Sequence, residues 1–309
     1  MPKTPPSIRW RAAWQQSLYG DDGFFRSHSP VDHFRTSVNS SELFAEAVWR
    51  LLHAEGLGTV VDVGAGRGEL LRHLHRLSGG TLNLSGVEIA DRPGDLPPAI
   101  GWTDNLPDRI DGLLIANEWL DNIPCDVVEV DEKGRIRFVL VDPSDGREAL
   151  GEECSDPWLD RWWPLTEPGD RAEIGAPRDE AWADAVSRVN GIALAVDYGH
   201  TRADRPILGS LRSYRQGVET DVVPDGTRDV TAHVAVDAVA AAARATISTQ
   251  SESLRQLGVS GARPPIELAT ADPQAYVRAL AAASASAELT ARGGWGEFRW
   301  MRTDTRTAV

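Results

Sequence analysis

The stretch at residues 59–70, TVVDVGAGRGEL, constrains the fold of this 309-residue chain more than any other. A short β-branched run meets a turn with three glycines, Gly64, Gly66 and Gly68, and an apolar helical pattern follows. Strand, glycine turn and helix in this order open the sheet of doubly wound α/β proteins. A ligand that lies against bare backbone leaves no room for a Cβ atom, which is why glycines suit such a turn. We therefore predict a mostly parallel α/β sheet with a ligand at this loop.

The spacing of the glycines separates two classes of ligand. Dinucleotide folds use G-x-G-x-x-G and place a helix N-terminus on a pyrophosphate, whereas this chain has Glu69 where the third glycine would fall. A carboxylate at that point repels a pyrophosphate. Asp62, two residues before Gly64, can meet an ammonium group instead. The loop therefore favours S-adenosylmethionine (SAM), which has an amino-acid end and a sulfonium but no phosphate; a glycine turn that serves packing alone is the alternative.

A further acid follows the next apolar run. Residues 82–88, LNLSGVE, predict a strand that ends in Glu88, 24 residues after Gly64. A carboxylate at this position can accept hydrogen bonds from both ribose hydroxyls, and a solvated strand end is the alternative. The residues that we predict to contact the cofactor are Asp62, Gly64, Ala65, Gly66, Gly68, Glu88, Ile89 and Asn117.

Polar side chains also follow two later apolar runs. Asn117, Glu118 and Asp121 come after LLIA, and Asp197 comes after IALAV. Groups at the carboxyl ends of parallel strands face the ligand crevice, so we expect these side chains at the reacting end of bound SAM. One helical turn would place Glu118 and Asp121 on the same side. A helix N-cap formed by Asn117 is the alternative.

Composition narrows the partners and the compartment. The net charge of −14 disfavours a nucleic-acid backbone as partner and suits a cationic protein or peptide, although acidity also serves solubility. Cys125 and Cys154 are the only cysteines; they cannot build a disulfide framework or a four-ligand zinc site, so we predict no metal and a reducing compartment. No apolar run has membrane-spanning length and the N-terminus lacks a signal-peptide core. We expect a cytoplasmic protein without membrane insertion; the oligomeric state, a homodimer included, stays open.

The order of the elements predicts three regions. These are an N-terminal helical cap at 1–55, a SAM-binding Rossmann-like domain at 56–125 and 190–309, and an inserted hairpin and helical substrate region at 126–189. Alternation on both sides of a DEKG turn predicts the hairpin of the insertion, and three tryptophans that follow it are expected to pack there. Toward the C-terminus we predict a strand at 246–253 and a hairpin at the sheet edge at 293–301. Ser40 or Ser41 is expected to cap a helix with one apolar face.

Several motifs occur in a fixed order along the chain. They are TSVNSSELFAE at 36–46, DVGAGRG at 62–68, NEWLDNIP at 117–124, DYG at 197–199, SLRSY at 210–214, DVTAHV at 229–234 and TQSESLRQLG at 249–258. In this order they resemble the motifs of the MidA family of class I SAM-dependent methyltransferases. Mitochondrial members of that family are complex I assembly factors, which methylate an arginine of a complex I subunit. Asp62 replaces the usual glutamate of the family's glycine loop, and Ala45 replaces a glycine.

The resemblance implies a protein arginine N-methyltransferase that acts on a protein partner such as a respiratory complex subunit. A guanidinium stays protonated at neutral pH, so carboxylates that grip two of its nitrogens can direct the third toward the methyl group. Glu118 and Asp121 are the candidates for this grip, and Asn117 for positioning. His233 or Asp197 would take up the released proton; for His233 the motif carries the argument.

Three other functions remain open at this point. The acceptor of the methyl group can be a small molecule or another protein side chain. A non-catalytic assembly factor that keeps the fold as a docking surface is a second alternative, although the glycine loop and Glu88 argue against it. A nicotinamide oxidoreductase is disfavoured by Glu69.

Overall fold

The computed structural model describes residues 7–27, 42–259 and 261–307. The chain divides into two compact units, each made of three segments. Unit 1 contains Met1–Phe34, Glu118–Ser187 and Gly199–Ala245, and unit 2 contains Arg35–Asn117, Arg188–Tyr198 and Thr246–Val309. Both units are mixed α/β structures.

The strands within the described residues are β1 Ile8–Arg9, β2 Thr59–Val63, β3 Asn83–Val87, β4 Gly101–Thr103, β5 Ile110–Asn117, β6 Val127–Val130, β7 Ile136–Val141, β8 Glu148–Glu153, β9 Arg171–Glu173, β10 Val189–Asp197, β11 Gly199–His200, β12 Arg212–Arg215, β13 Val218–Thr220, β14 Asp229–Thr231, β15 Val234–Ala235, β16 Thr246–Thr249 and β17 Arg299–Asp304. The α-helices are α1 Trp10–Tyr19, α2 Phe24–Ser27, α3 Glu42–Glu55, α4 Glu69–Leu77, α5 Pro157–Trp162, α6 Ala176–Ser187, α7 Val236–Ala243, α8 Gln250–Gln256, α9 Glu267–Ala271 and α10 Pro273–Leu289.

Unit 2 is built on a seven-stranded sheet in the order β16-β17-β10-β5-β2-β3-β4. The five strands from β10 to β4 run parallel, and β17 is antiparallel to both of its neighbours. β5 and β10 are buried almost throughout, because strands of a parallel sheet are covered on both faces and use continuous apolar runs. The predicted mostly parallel α/β sheet is confirmed, and the parallel strands place their carboxyl ends at one edge.

Unit 1 contains the predicted hairpin. β6 pairs with β7 antiparallel, with Val128 opposite Phe138, and β1, β8 and β9 extend this pair to five strands. Trp158 and Trp163 are buried beside Val128, so the tryptophans pack within this unit as expected. The extra strands escaped prediction because they are short or, like β8 (EALGEE), too polar to show an apolar alternation.

The compact units follow boundaries that differ from the predicted regions. The predicted cap at 1–55 is divided, because Trp14 of α1 packs against Val139 in unit 1 whereas α3 belongs to the core of unit 2. Residues 199–245, predicted within the SAM-binding domain, belong to unit 1. These residues belong to unit 1 because their contacts are made there. β14 pairs with β12, and α7 packs against α6.

Three local predictions need correction. The strand predicted at 246–253 ends at Thr249, whose hydroxyl caps α8 in a capping box with Glu252. The predicted hairpin at 293–301 is a 3-10 turn followed by β17, and β17 lies inside the sheet because β16 pairs on its outer side. Glu118 and Asp121 do not share a helical turn, since the 3-10 turn begins only at Leu120.

Two further predictions concern residues outside those described. The proposed caps Ser40 and Ser41 and most of the motif at 36–46 lie there, although α3 itself, with the expected apolar face, is confirmed.

Among the helices that the structure describes, none combines the length and the hydropathy that a bilayer crossing requires.

Candidate functional site

The glycine loop of unit 2 has the conformation that its sequence predicts. Gly64, Gly66 and Gly68 have φ angles of 69°, 57° and 77°, a region that favours glycine. The loop is tied to the neighbouring strand because the Gly64 N–H donates to the Val87 carbonyl at 3.0 Å. The three glycines serve different purposes. A Cβ on Gly68 would lie 2.8 Å from Leu96 Cδ1, whereas one on Gly66 would meet nothing closer than Glu69 Oε2 at 3.4 Å, so Gly68 serves packing and Gly66 leaves space for a ligand.

The Glu88 carboxylate is fixed against this loop. Its Oε2 accepts the Gly66 N–H at 2.9 Å, and its Oε1 accepts the Ile89 N–H at 2.8 Å. Burial raises the pKa of Glu88, and the backbone amides oppose that rise. The predicted ribose acid therefore has a fixed orientation beside the loop. Ile89 contributes its backbone to this arrangement, and the Ala65 side chain is buried in the core.

Three carboxyl groups gather around the loop. Burial raises the pKa of Asp62 well above its usual value, and the negative charges of Glu69 and Glu88 raise it further. Burial also raises the pKa of Glu69. Asp62 is only 4% exposed, and both of the charges acting on it are of its own sign. Such a cluster is stabilised by a cation, and we call these three residues the loop acids.

Asn117 and Asp197 lie on neighbouring strands at the same edge of the unit 2 sheet. Asn117 ends β5 and pairs with Val196 of β10, so Asp197 comes one residue later. β5 is also the neighbour of β2, the strand that leads into the glycine loop. Asp197 is buried, and its Oδ1 accepts the Tyr198 N–H at 3.0 Å. The structure thus brings Asn117 and Asp197 to the edge that carries the loop.

Glu118, the first residue of its segment in unit 1, has a left-handed backbone. Its φ of 53° is one of three positive values among the non-glycine residues that the structure describes. For a residue with a side chain this conformation costs about 1–3 kcal/mol and persists where neighbouring contacts enforce it, often at functional sites. The structure therefore singles out Glu118 within the predicted cluster.

Asp121 is 3% exposed and its carboxylate lies inside unit 1. Its Oδ2 accepts the Thr231 hydroxyl at 2.7 Å, and its Oδ1 accepts the Asn122 side-chain N–H at 3.2 Å. Its backbone carbonyl accepts the Ala232 N–H at 3.3 Å. Asp121 therefore links the NEWLDNIP segment to the DVTAHV segment.

Arg178 joins the same two segments and was not predicted. It is 1% exposed, and its guanidinium donates to the backbone carbonyls of Asp121 at 2.7 Å and His233 at 2.9 Å. It also donates to the carbonyls of Ile123 and Ala232. No local sequence signal marks this residue, because its partners lie more than fifty positions away.

His233 has an exposed side chain on a fixed backbone. Its N–H donates to the Ser210 hydroxyl at 3.0 Å, and that hydroxyl donates to the buried Glu173 carboxylate at 2.8 Å. Although the side chain is exposed, neighbouring groups shield part of the ring from water, which lowers the pKa of His233, and the charges of Arg212 and Arg178 lower it further. A neutral imidazole on a fixed backbone is suited to accept a proton.

Comparisons with known proteins identify a family and a fold for this chain. Residues 88–253, 166 of the 309 residues, match the family described as "Putative S-adenosyl-L-methionine-dependent methyltransferase". No curated protein matches the chain.

Two solved structures from Burkholderia thailandensis share the fold. One is a COG1565 superfamily member bound to S-adenosyl-homocysteine, with a TM-score of 0.74 and 22% identity over 96% of this chain and 87% of that one. The other is a native structure of a COG1565 superfamily protein, with a TM-score of 0.76 and 23% identity over the same shares. At these identities the likeness establishes the fold.

Proposed function

Because the chain belongs to this family of SAM-dependent methyltransferases, we propose that it methylates an arginine of a protein partner. The family match confirms the resemblance found in the motifs, and SAM is the cofactor, as the glycine loop predicted. When bound, SAM supplies a methyl group on a positively charged sulfur. We further propose that the sheet is doubly wound in the Rossmann-like manner and that the site residues bind SAM and the acceptor.

The loop acids suit such a cofactor. Asp62 would hold the ammonium group, since a cation favours the ionised carboxylate that burial and the charges of Glu69 and Glu88 disfavour. Glu88, already oriented by backbone amides, would accept the ribose hydroxyls. Gly66, whose Cβ direction is open, would allow close approach to the backbone. A pyrophosphate would meet three carboxyl groups at this loop, which disfavours a dinucleotide.

Glu118 is the proposed contact with the acceptor, and its left-handed backbone is the observation that carries the proposal. A carboxylate that binds two guanidinium nitrogens in a bidentate manner fixes the plane of the group. The third nitrogen is then held at a defined angle for transfer, which is worth a large rate factor. A positive φ at a residue with a side chain costs energy and often occurs at functional sites, which supports this role for Glu118.

The other predicted residues take separate roles in this proposal. Asp121, whose carboxylate contacts Thr231 inside unit 1, holds the Glu118 segment in place. Asn117 positions the reacting groups from the end of β5, and His233 takes up the released proton as a neutral imidazole. Asp197 is the alternative proton acceptor, although its burial favours His233.

The partner in this proposal is a cationic segment of a protein. The net charge of −14 favours association with a positively charged surface, and the MidA resemblance points to a respiratory complex subunit. The proposal places the reaction in the cytoplasm.

The test is transfer of an isotope-labelled methyl group from SAM to arginine-containing proteins, including respiratory complex subunits, followed by mass spectrometry of digests. We expect labelled methylarginine. Glu118→Gln should lower the rate at least about 100-fold, because a charge-assisted contact with the reacting group is lost, while SAM affinity measured by calorimetry changes less than about twofold. Glu132→Gln, at an exposed residue of the β6–β7 turn, is the control and should keep full activity.

Other outcomes would reject parts of the proposal. Label on a lysine or on a small molecule rejects the acceptor class. SAM binding without any transfer identifies a non-catalytic assembly factor. Full activity of Glu118→Gln rejects the role of Glu118.

A further inference from the structure

We propose that Arg178 is a positioning residue, which holds the Glu118–Asp121 turn and the His233 segment in one fixed arrangement. The inference rests on the proposed function only in that these two segments carry the residues assigned to the acceptor and to the proton. Arg178 itself lies near the start of α6 in unit 1, away from both motifs in the sequence.

The guanidinium of Arg178 binds backbone atoms of two separate segments. All four of the hydrogen bonds from its guanidinium go to backbone carbonyls, those of Asp121, Ile123, Ala232 and His233. Two of these carbonyls belong to the NEWLDNIP segment and two to the DVTAHV segment, so the planar guanidinium joins the two segments. Because the bonds go to backbone atoms, they fix the path of each segment whatever its side chains do.

Arg178 is almost completely buried, which is costly for a charged side chain. A guanidinium that is 1% exposed loses its water, and a neutral residue of similar volume would be cheaper to bury. Its Cζ lies 5.6 Å from the ring centroid of Trp14, where an apolar side chain would pack as well. A charge retained at such a position indicates that its geometry is needed, and only arginine offers five donors in a rigid plane.

The two segments that Arg178 joins carry Glu118 and His233, which the proposed function assigns to the acceptor and to the proton. Glu118 needs surrounding contacts to stay left-handed, and Asp121, three residues later, is fixed by Arg178 through its carbonyl and by Thr231 through its carboxylate. On the other side, the His233 backbone is held at its carbonyl by Arg178 and at its N–H by Ser210. Arg178 therefore contributes to holding both positions, together with Thr231 on one side and Ser210 on the other.

The test compares Arg178→Lys and Arg178→Met with Arg205→Met. Arg205 is also nearly buried in unit 1 and donates to the carbonyls of Trp162 and His200, outside both segments. Hydrogen–deuterium exchange is followed on peptides 118–124 and 229–234, with peptide 59–66 of unit 2 as reference. We expect Arg178→Met to speed exchange of both segments at least about tenfold, because local opening becomes easier, and Arg205→Met to leave them unchanged.

Kinetics separate positioning from plain structural support. With the acceptor proteins of the transfer assay, Arg178→Lys should lower kcat about tenfold or more with KM and SAM affinity nearly constant, because lysine keeps the charge and loses the fork. If Arg178→Met fails to fold, Thr231→Val, which removes only the hydroxyl that donates to Asp121, should speed exchange of peptide 118–124.

Faster exchange throughout unit 1 in Arg178→Met, or equal effects in Arg205→Met, would overturn the inference, as would wild-type exchange and kcat in both Arg178 variants. The exchange result does not depend on methyl transfer. If the wild-type protein methylates nothing, the proposed function fails while the exchange data still decide the role of Arg178.

Discussion

The acidic residues of the two units differ in what surrounds them. In unit 2, Asp62 is buried beside two further carboxyl groups, and both charges acting on it are negative. In unit 1, Asp121 is equally buried and also has a carboxyl neighbour, Asp229, whose pKa its charge helps to raise, but a threonine hydroxyl and an asparagine amide donate to Asp121. Side-chain donors stabilise the Asp121 carboxylate within the fold, whereas Asp62 is acted on by burial and by two charges of its own sign, so a cationic ligand would stabilise its ionised form. The loop acids therefore indicate binding, and Asp121 indicates support.

The sharpest test of the support role is Thr231→Val. The substitution keeps the shape and removes the donor to Asp121 Oδ2, so a buried carboxylate loses a hydrogen bond. We expect the free energy of unfolding to fall by about 2 kcal/mol. Chemical denaturation measures this, and Thr227→Val is the control, since Thr227 makes a similar bond to Asp225 on the surface and should cost less than about 0.5 kcal/mol. Equal losses would mean that Asp121 is not a special support.

Asp62→Asn should have the opposite effect on stability. It removes a carboxyl group whose ionised form is disfavoured by burial and by two like charges in the ligand-free fold, so the free energy of unfolding at pH 7 should rise, by about 1 kcal/mol. SAM affinity should fall about tenfold by calorimetry, because the partner of the ammonium group loses its charge. Asp108→Asn, at a fully exposed residue, should change neither quantity. A destabilised Asp62→Asn protein with normal SAM affinity would break the comparison.

The smallest expected effect is on pH dependence. The pKa of Asp62 is raised on folding, so the folded state binds more protons than the unfolded state between the ordinary and the raised value. The stability that this group contributes is complete below its ordinary pKa of about 4 and is lost as pH rises through the raised pKa.

The difference in unfolding free energy between Asp62→Asn and the wild-type protein should therefore grow with pH in this window. SAM should bind more tightly as pH rises and release a fraction of a proton, since a cation favours the ionised carboxylate. Calorimetry in buffers of different ionisation enthalpy measures that release. Uptake of a proton would contradict the assigned role of Asp62.

Much of unit 2 could be predicted because its signals are local. The glycine spacing and the apolar runs of β2, β5 and β10 lie within single segments. The end of the strand at Thr249 was also readable, since Thr249 and Glu252 have the spacing of a capping box. What could not be predicted depends on distant residues. Arg178 finds its carbonyl partners 54 to 57 positions away, and no periodicity reports such a contact.

The site residues show the same contrast between local sequence signals and contacts made by distant residues. The sequence placed Glu118 and Asp121 together as two equivalent carboxylates, because charge and spacing alone do not distinguish them. Burial and the Thr231 bond give Asp121 a different environment, and the backbone of Glu118 is left-handed. Both observations require tertiary structure, since propensity does not predict an isolated left-handed glutamate.

The position of β17 has a consequence for how the protein is made. Of the strands in this sheet, β17 is the last along the chain, yet in space it lies between β10 and β16. During synthesis on the ribosome, β10 therefore emerges more than one hundred residues before its outer neighbour exists. Until then one edge of this apolar strand has unpaired backbone N–H and C=O groups, which can pair with a strand of another polypeptide. Chaperone protection of that interval would raise the yield of the native protein.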